Sequence, residues 1–172
     1  MKTETIEKIF NFLEEKEGKE IPHNLAKSIE KLKFIKFINE LENHPDGVQY
    51  RYDGDLFLSD SNIKKLPNDL YVDGRLSLAN CGQFKKLPDN LYVGRSLNLY
   101  DCEQLAKLPD NLYVGRNLNI SYTNITELPN KLYVGGDLYI NNTPLERKYT
   151  NEEIREIVTS TGGQIIGDII RF

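Results

Sequence analysis

The sequence predicts an α/β solenoid: a curved parallel sheet of about six short strands, with an N-terminal helical cap and a C-terminal helix-strand cap. Three observations predict it. First, the segment KKLPNDLYVDGRLSL returns as KKLPDNLYVGRSLNL, AKLPDNLYVGRNLNI and TELPNKLYVGGDLYI. The Leu-Pro pairs begin at Leu66, Leu87, Leu108 and Leu128, a period of 20 or 21 residues that excludes the longer helical repeats. Second, each copy carries a polar residue between two apolar ones, as in Leu97-Asn98-Leu99. The two-residue period of a strand sends the leucines to one side and the asparagine to the other. Third, apolar residues recur at helical spacing towards both ends, where a stack of repeats needs covering.

In chain order, residues 1–47 are expected as the N-terminal helical cap, 48–145 as the repeats and 146–172 as the C-terminal cap of one continuous domain. Ile6, Ile9, Phe10 and Leu13 define a first helix that Gly18 ends. A second spans about residues 23–42, with Leu25, Ile29, Leu32, Ile35 and Ile38 as its stripe and Phe34, Phe37 and Leu41 widening it. So wide a face is expected to pack between the first helix and the first repeat, and the alternative is a partner-binding groove. The repeat strands are Leu56-Phe57-Leu58, Leu76-Ser77-Leu78, Leu97-Asn98-Leu99, Leu118-Asn119-Ile120 and Leu138-Tyr139-Ile140, forming the concave face. After each strand the chain re-enters the core at Ile63, Phe84, Leu105 or Ile125. Pro67, Pro88, Pro109 and Pro129 then forbid a long helix, so the convex side is expected to be extended or a short helical turn. Glycines 54, 74, 94, 115, 135 and 136 precede the strands and suit a tight bend. Thr150 is an N-cap candidate with Glu152 and Glu153 in the first turn, sending Ile154 and Ile157 inward. Gly162-Gly163 ends this helix, and residues 164–172 read as a last strand.

Composition excludes several functions. A net charge of -4 on 172 residues gives no general reason to bind nucleic acid or an anionic membrane. The first 20 residues have no uninterrupted apolar region, and no run approaches the roughly 18 residues that span a bilayer. A cytoplasmic protein is expected. Cys81 and Cys102 are the only cysteines, which fits a reducing compartment. They share one repeat position with Ser61, Thr123 and Thr143, so they read as inner-turn thiols in preference to a disulfide. No metal site is expected, because two cysteines are too few for structural zinc and His23 and His44 lie outside the repeats. No nucleophile motif, P-loop or dinucleotide fingerprint occurs, so the chain is expected to be no enzyme and to use no cofactor.

The run Leu56-Phe57-Leu58, Ser61, Ile63, Leu66-Pro67 and Leu70, repeated in the next three units, resembles the bacterial-type leucine-rich repeat over roughly residues 53–145. More distantly, the chain resembles the repeat domain of secreted effectors of the YopM and IpaH kind, which also begin with a helical pair. The LPxxLYVGG-type spacer and the endings TPLERKYTNEEIREIV and GQIIGDIIRF look more like small leucine-rich-repeat proteins carried by bacteriophages and their hosts. Two departures count against the effector likeness: no ubiquitin-ligase domain follows, and Ser61, Cys81, Cys102, Thr123 and Thr143 replace the usual turn asparagine. The phage likeness implies a protein-binding inhibitor or adaptor acting on a bacterial protein in the host cytoplasm, an anti-defence or anti-CRISPR-like role included. A virion or housekeeping adaptor fits the same likeness.

Stacking aligns equivalent positions into ladders about 4.8 Å apart. The first is Phe57, Ser77, Asn98, Asn119 and Tyr139; the second is Ser59, Ala79, Tyr100, Ser121 and Asn141; the third is Asp60, Asn80, Asp101, Tyr122 and Asn142. Tyrosine, asparagine and aspartate make an adaptable polar binding surface, while a solvated sheet would be polar in any case. The expected partner-binding residues are Phe57, Asp60, Asn80, Asn98, Tyr100, Asp101, Asn119, Tyr122, Tyr139 and Asn141. Tyr71, Tyr92, Tyr113 and Tyr133 form another ladder, read as repeat packing before base stacking. Lys64, Lys65, Lys85, Lys86 and Lys107, with Arg95 and Arg116, form a basic strip that Glu127 interrupts, read first as a solvated edge. The alternative function is a nucleic-acid or nucleotide binder on that strip and the tyrosine ladder. Asp55, Asp60, Asp101 and Asp137 also suit a basic groove, as a weak mimic of nucleic acid. A plain structural oligomer would pair an exposed terminal strand between copies.

Overall fold

A computed structural model describes Lys36, residues 38–45 and residues 47–171. The chain divides into two compact units, Met1–Asn43 and His44–Phe172. In the first, Lys36 and residues 38–42 are helical and Leu41 is fully buried. The helix expected at residues 6–13 and most of the one expected at 23–42 lie outside the described residues.

The second unit is a solenoid of very short parallel strands. In chain order these are β1 (Tyr50–Tyr52), β2 (Leu56–Phe57), β3 (Leu70–Val72), β4 (Leu76–Ser77), β5 (Tyr92–Val93), β6 (Leu97–Asn98), β7 (Tyr113–Val114), β8 (Leu118–Asn119), β9 (Tyr133–Val134) and β10 (Leu138–Tyr139). Helices α1 (Pro144–Lys148) and α2 (Asn151–Ser160) follow, then β11 (Gln164–Ile165) and β12 (Ile169–Ile170). The odd-numbered strands form one six-stranded sheet and the even-numbered strands another. Every turn therefore contributes one strand to each sheet. The register keeps like beside like: Tyr71 pairs with Tyr92, Tyr92 with Tyr113 and Tyr113 with Tyr133, while Leu76, Leu97, Leu118 and Leu138 align in the other sheet. Val72, Val93, Val114 and Val134 from the odd sheet and the leucines from the even sheet are fully buried or nearly so, and Phe84, Ile63, Leu105 and Ile125 join them in the core.

The second sheet corrects the sequence-based expectation of a single sheet with an irregular outer segment. Leu91-Tyr92-Val93 has the same alternation as Leu97-Asn98-Leu99, and stacked turns bring equal residues opposite one another, so backbone pairing follows. Pro88 lies upstream of the paired residues, so its missing donor breaks no ladder. The last strand, expected to be one element over residues 164–172, likewise splits into β11 and β12, one for each sheet. Gly167 marks the corner, its amide donating to the carbonyl of Gly136 at 2.9 Å.

Two features fix the path of each turn. At the corner between the sheets the backbones of neighbouring turns are in contact. A Cβ on Gly115 would stand 2.2 Å from the carbonyl oxygen of Gly94, and one on Gly94 would stand 2.2 Å from that of Asp73. Elsewhere the chain reverses through left-handed residues: Asp60, Asn80, Asp101, Tyr122 and Asn142 at φ 55–59°, and Asp69, Asn90, Asn111 and Lys131 at φ 53–59°. Asp and Asn tolerate that region because their short side chains bond locally.

The inner-turn position works as a hydrogen-bond plug. Ser61 Oγ donates to the Leu58 carbonyl at 2.6 Å, and Thr123 and Thr143 donate to Ile120 and Ile140 at 2.7 Å. Cys81 and Cys102 are free, buried thiols that donate across to the preceding turn, to Leu58 at 3.2 Å and Leu78 at 3.0 Å. Burial raises the Cys102 pKa to about 11.

At the C-terminal end, Thr150 and Glu153 form a reciprocal capping box at the start of α2, which buries Ile154 and Val158. Ile157, expected to point inward, is only half-buried, since Ile154 and Val158 four residues apart occupy the inner face. Arg155 donates to the carbonyls of Ile165 at 2.9 Å and Gly167 at 2.6 Å, and the Asn151 amide donates to that of Ile169 at 2.9 Å. These carbonyls belong to the last turn, which among the described residues has no further strand beside it.

Candidate functional site

The outward positions of the even sheet are built from the ladder Phe57, Ser77, Asn98, Asn119 and Tyr139. Phe57 is 60% exposed, whereas the other four are partly buried. The asparagines turn back on their own backbone: Asn98 Oδ1 accepts from the Tyr100 amide at 3.1 Å and Asn119 Oδ1 from the Ser121 amide at 3.0 Å. Ser59 and Ser77 join their hydroxyls at 2.8 Å, and Ser121 Oγ donates to Asn141 Oδ1 at 3.4 Å. Asn141 and Ser121 are buried, so of the ten expected site residues Asn141 offers the least surface.

The third ladder has a conformational cause. Four of its members are Asp or Asn, the residues that accept left-handed backbone most readily. Asn80 Nδ2 bonds Asp60 Oδ1 at 2.9 Å, and the Asn142 amide donates to Glu146 Oε2 at 2.6 Å. Turn geometry thus accounts for Asp60, Asn80, Asp101 and Asn142 with no ligand needed. It does not account for Tyr122, a bulky side chain held at φ 59°. Tyr122 is 43% exposed and its ring lies against that of Tyr100, a residue 39% exposed, with centroids 5.1 Å apart and planes tilted by 54°. Asp101 sits between Tyr100 in sequence and Tyr122 in the ladder, and its carboxylate makes no hydrogen bond or ion pair among the described residues. No lysine or arginine occupies any of the fifteen positions of the three ladders. The left-handed position of Tyr122 was not read from the sequence, and the signal for it was a tyrosine interrupting a run of Asp and Asn at one repeat position.

The tyrosine ladder, two lysines of the basic strip and two of the aspartates have partners within the chain. The rings of Tyr71, Tyr92, Tyr113 and Tyr133 stack on one another at 4.3, 4.5 and 4.8 Å with planes within 5° of parallel. The Arg51 guanidinium closes one end, 4.5 Å from the Tyr71 centroid. Desolvation by the surrounding protein, helped by its tyrosine neighbours, pushes the Tyr92 phenol up to about 12. In the basic strip, Lys86 pairs with Asp89 at 3.2 Å and Lys107 with Glu127 at 3.5 Å. These residues line an open cleft of about 510 Å³ whose walls also include Asp110, Leu108 and Pro109. Asp55 and Asp137 each accept from the backbone of the next turn, at 2.7 and 2.9 Å. Among the described residues no group of three or more His, Cys, Asp or Glu could hold a metal ion, and no helix is long and apolar enough to cross a membrane.

Compared with known proteins, the chain matches no family model, and no curated protein or solved structure matches it.

Proposed function

We propose that the chain is a non-catalytic protein-binding module of the leucine-rich-repeat type, an inhibitor or adaptor that engages its partner through the face carrying Phe57, Tyr100, Tyr122 and Tyr139. The observation that carries this reading is Tyr122. A left-handed conformation costs an ordinary residue about 1–2 kcal/mol. The same ladder shows that Asp or Asn fits this backbone. A strained, exposed aromatic beside a second exposed aromatic is what a binding anchor requires, and locally inconsistent residues concentrate at functional sites. On this reading the α2–β12 segment closes the C-terminal end of the repeat stack. The likeness to phage-borne repeat proteins extends the reading to a bacterial host target, in the cytoplasm.

Nucleic-acid binding is the weaker reading. Rings stacked at 4.3–4.8 Å have their faces occupied by each other, and two lysines of the strip are already paired with acids. The test is affinity capture from a bacterial lysate with wild type and a Tyr100→Ala/Tyr122→Ala variant, both nuclease-treated. Stoichiometric capture that survives nuclease and fails with the variant is expected. Capture that vanishes with nuclease, or that the variant retains in full, refutes the reading.

A further inference from the structure

The face proposed above has a chemical polarity that its aromatic content alone does not convey. Tyr100 and Tyr122 do not stack like the tyrosines of the odd sheet, whose planes lie within 5° of parallel. Their planes are inclined at 54°, and both residues are exposed. Such a pair can take up a flat group of either kind, a nucleobase or a guanidinium. The neighbouring charge decides between them. Asp101 follows Tyr100 in sequence, precedes Tyr122 in the third ladder and has no hydrogen bond or ion pair on its carboxylate among the described residues; Asp60 adds a second acid in the same ladder, and the three ladders contain no cation. A phosphate backbone laid along this face would meet only like charge, whereas a guanidinium would meet a ring face and a carboxylate together. The molecule already makes the first of these contacts at the end of its other tyrosine ladder, where Arg51 lies over Tyr71 and also bonds Asp53 at 2.9 Å.

Resting on the protein-binding reading, we propose that the exposed patch of Tyr100, Asp101 and Tyr122 is the receiving site for an arginine side chain on a basic segment of the partner. Arginine is favoured over lysine because the planar guanidinium can lie against one ring while its N–H groups reach the Asp101 carboxylate in bidentate fashion. Lysine offers a compact charge that satisfies the carboxylate and forfeits the stacking.

The experiment is an amide-resolved NMR titration of the full chain with four blocked pentapeptides of the form Gly-Gly-X-Gly-Gly, where X is arginine, lysine, citrulline or glutamate. An oligothymidylate serves as the nucleic-acid probe. Arginine is expected to shift the amides of residues 100–101 and 121–122 saturably, with the other three peptides weaker by about fivefold or more. Asp101→Asn, which keeps a residue suited to the left-handed backbone, is expected to lower the arginine affinity about tenfold without changing the melting temperature. Equal response to citrulline, no localised response to arginine, or stronger binding of the oligothymidylate at these amides overturns the proposal. If arginine fails here while the Tyr100→Ala/Tyr122→Ala variant still loses its captured protein, the guanidinium assignment falls alone. If the variant also retains its partners, the module reading falls with it.

Discussion

Gly115→Ala is the sharpest test of how the turns are held together. The added methyl carbon would lie 2.2 Å from the carbonyl oxygen of Gly94 and 2.9 Å from its carbonyl carbon, both backbone atoms of the adjacent turn. Neither can rotate away. An ordinary carbon–oxygen contact is about 1 Å longer, so the turns must part at this corner, against overpacking strain of about 1–3 kcal/mol. The separation also stretches the bonds from Gly115 to Val93 at 2.9 Å and from Arg116 to Arg95 at 3.0 Å. Each is worth about 0.5–1.5 kcal/mol. The expected loss is therefore about 2–6 kcal/mol, or roughly 4–24 °C in melting temperature for a chain of this size. Gly82→Ala is the control, because nothing lies within 4 Å of a Cβ there and its backbone is outside the left-handed region. It is expected to be neutral or stabilising by up to about 1 kcal/mol. Thermal unfolding followed by circular dichroism compares the two. If they melt within about 2 °C of each other, the close packing of turns at the corner does not set stability, and the argument is wrong.

Removing Arg155 by Arg155→Ala uncovers the Ile165 and Gly167 carbonyls at the last strand edge, and should produce concentration-dependent association in light scattering. A monodisperse variant with unchanged melting would show that the edge needs no cover. The raised pKa of Tyr92 predicts a stability that is intact below pH 10, where the phenol is protonated in folded and unfolded chains alike. It falls as pH rises towards 12, because the unfolded chain then gives up the proton first. Tyr92→Phe should flatten that fall in alkaline unfolding curves; an identical pH profile would remove burial of this ring as its cause.

The repeat, its strand positions and the inward side of each unit could be read from the sequence because hydrophobic period and copy number agree. Leu76, Leu97, Leu118 and Leu138 recur at the same offset from Leu-Pro, and all four are buried. The second sheet is hidden because the proline ahead of each Leu-Tyr-Val marks that stretch as irregular, whereas its pairing arises from stacking in register. Of the candidate site, the ladders picked out Tyr100 and Tyr122, which prove to be exposed and in ring contact, but could not separate them from turn formers. Asp60, Asn80 and Asn142 look like contact residues in a ladder diagram, yet positive φ gives each a role before any partner arrives. The bonds that Asn98 and Asn119 accept from the backbone two residues on were equally hidden, since a side chain's choice between its own backbone and solvent depends on torsions that sequence spacing does not specify.

The separation of the leucine rows from the Phe57–Tyr139 row gives the molecule an alphabet it can rewrite. The backbone of each turn pairs with that of the turns beside it, and the first ladder holds Phe57, Ser77, Asn98, Asn119 and Tyr139 in one backbone setting, so that position tolerates aromatic, hydroxyl and amide side chains alike. Duplication or deletion of a 20- or 21-residue block would shift Tyr100 relative to Phe57 by one strand spacing, about 4.8 Å, and leave every local environment as it was. The pattern of side chains on the outward face can thus change in discrete steps, by copy number as well as by substitution, while the scaffold that presents it stays constant.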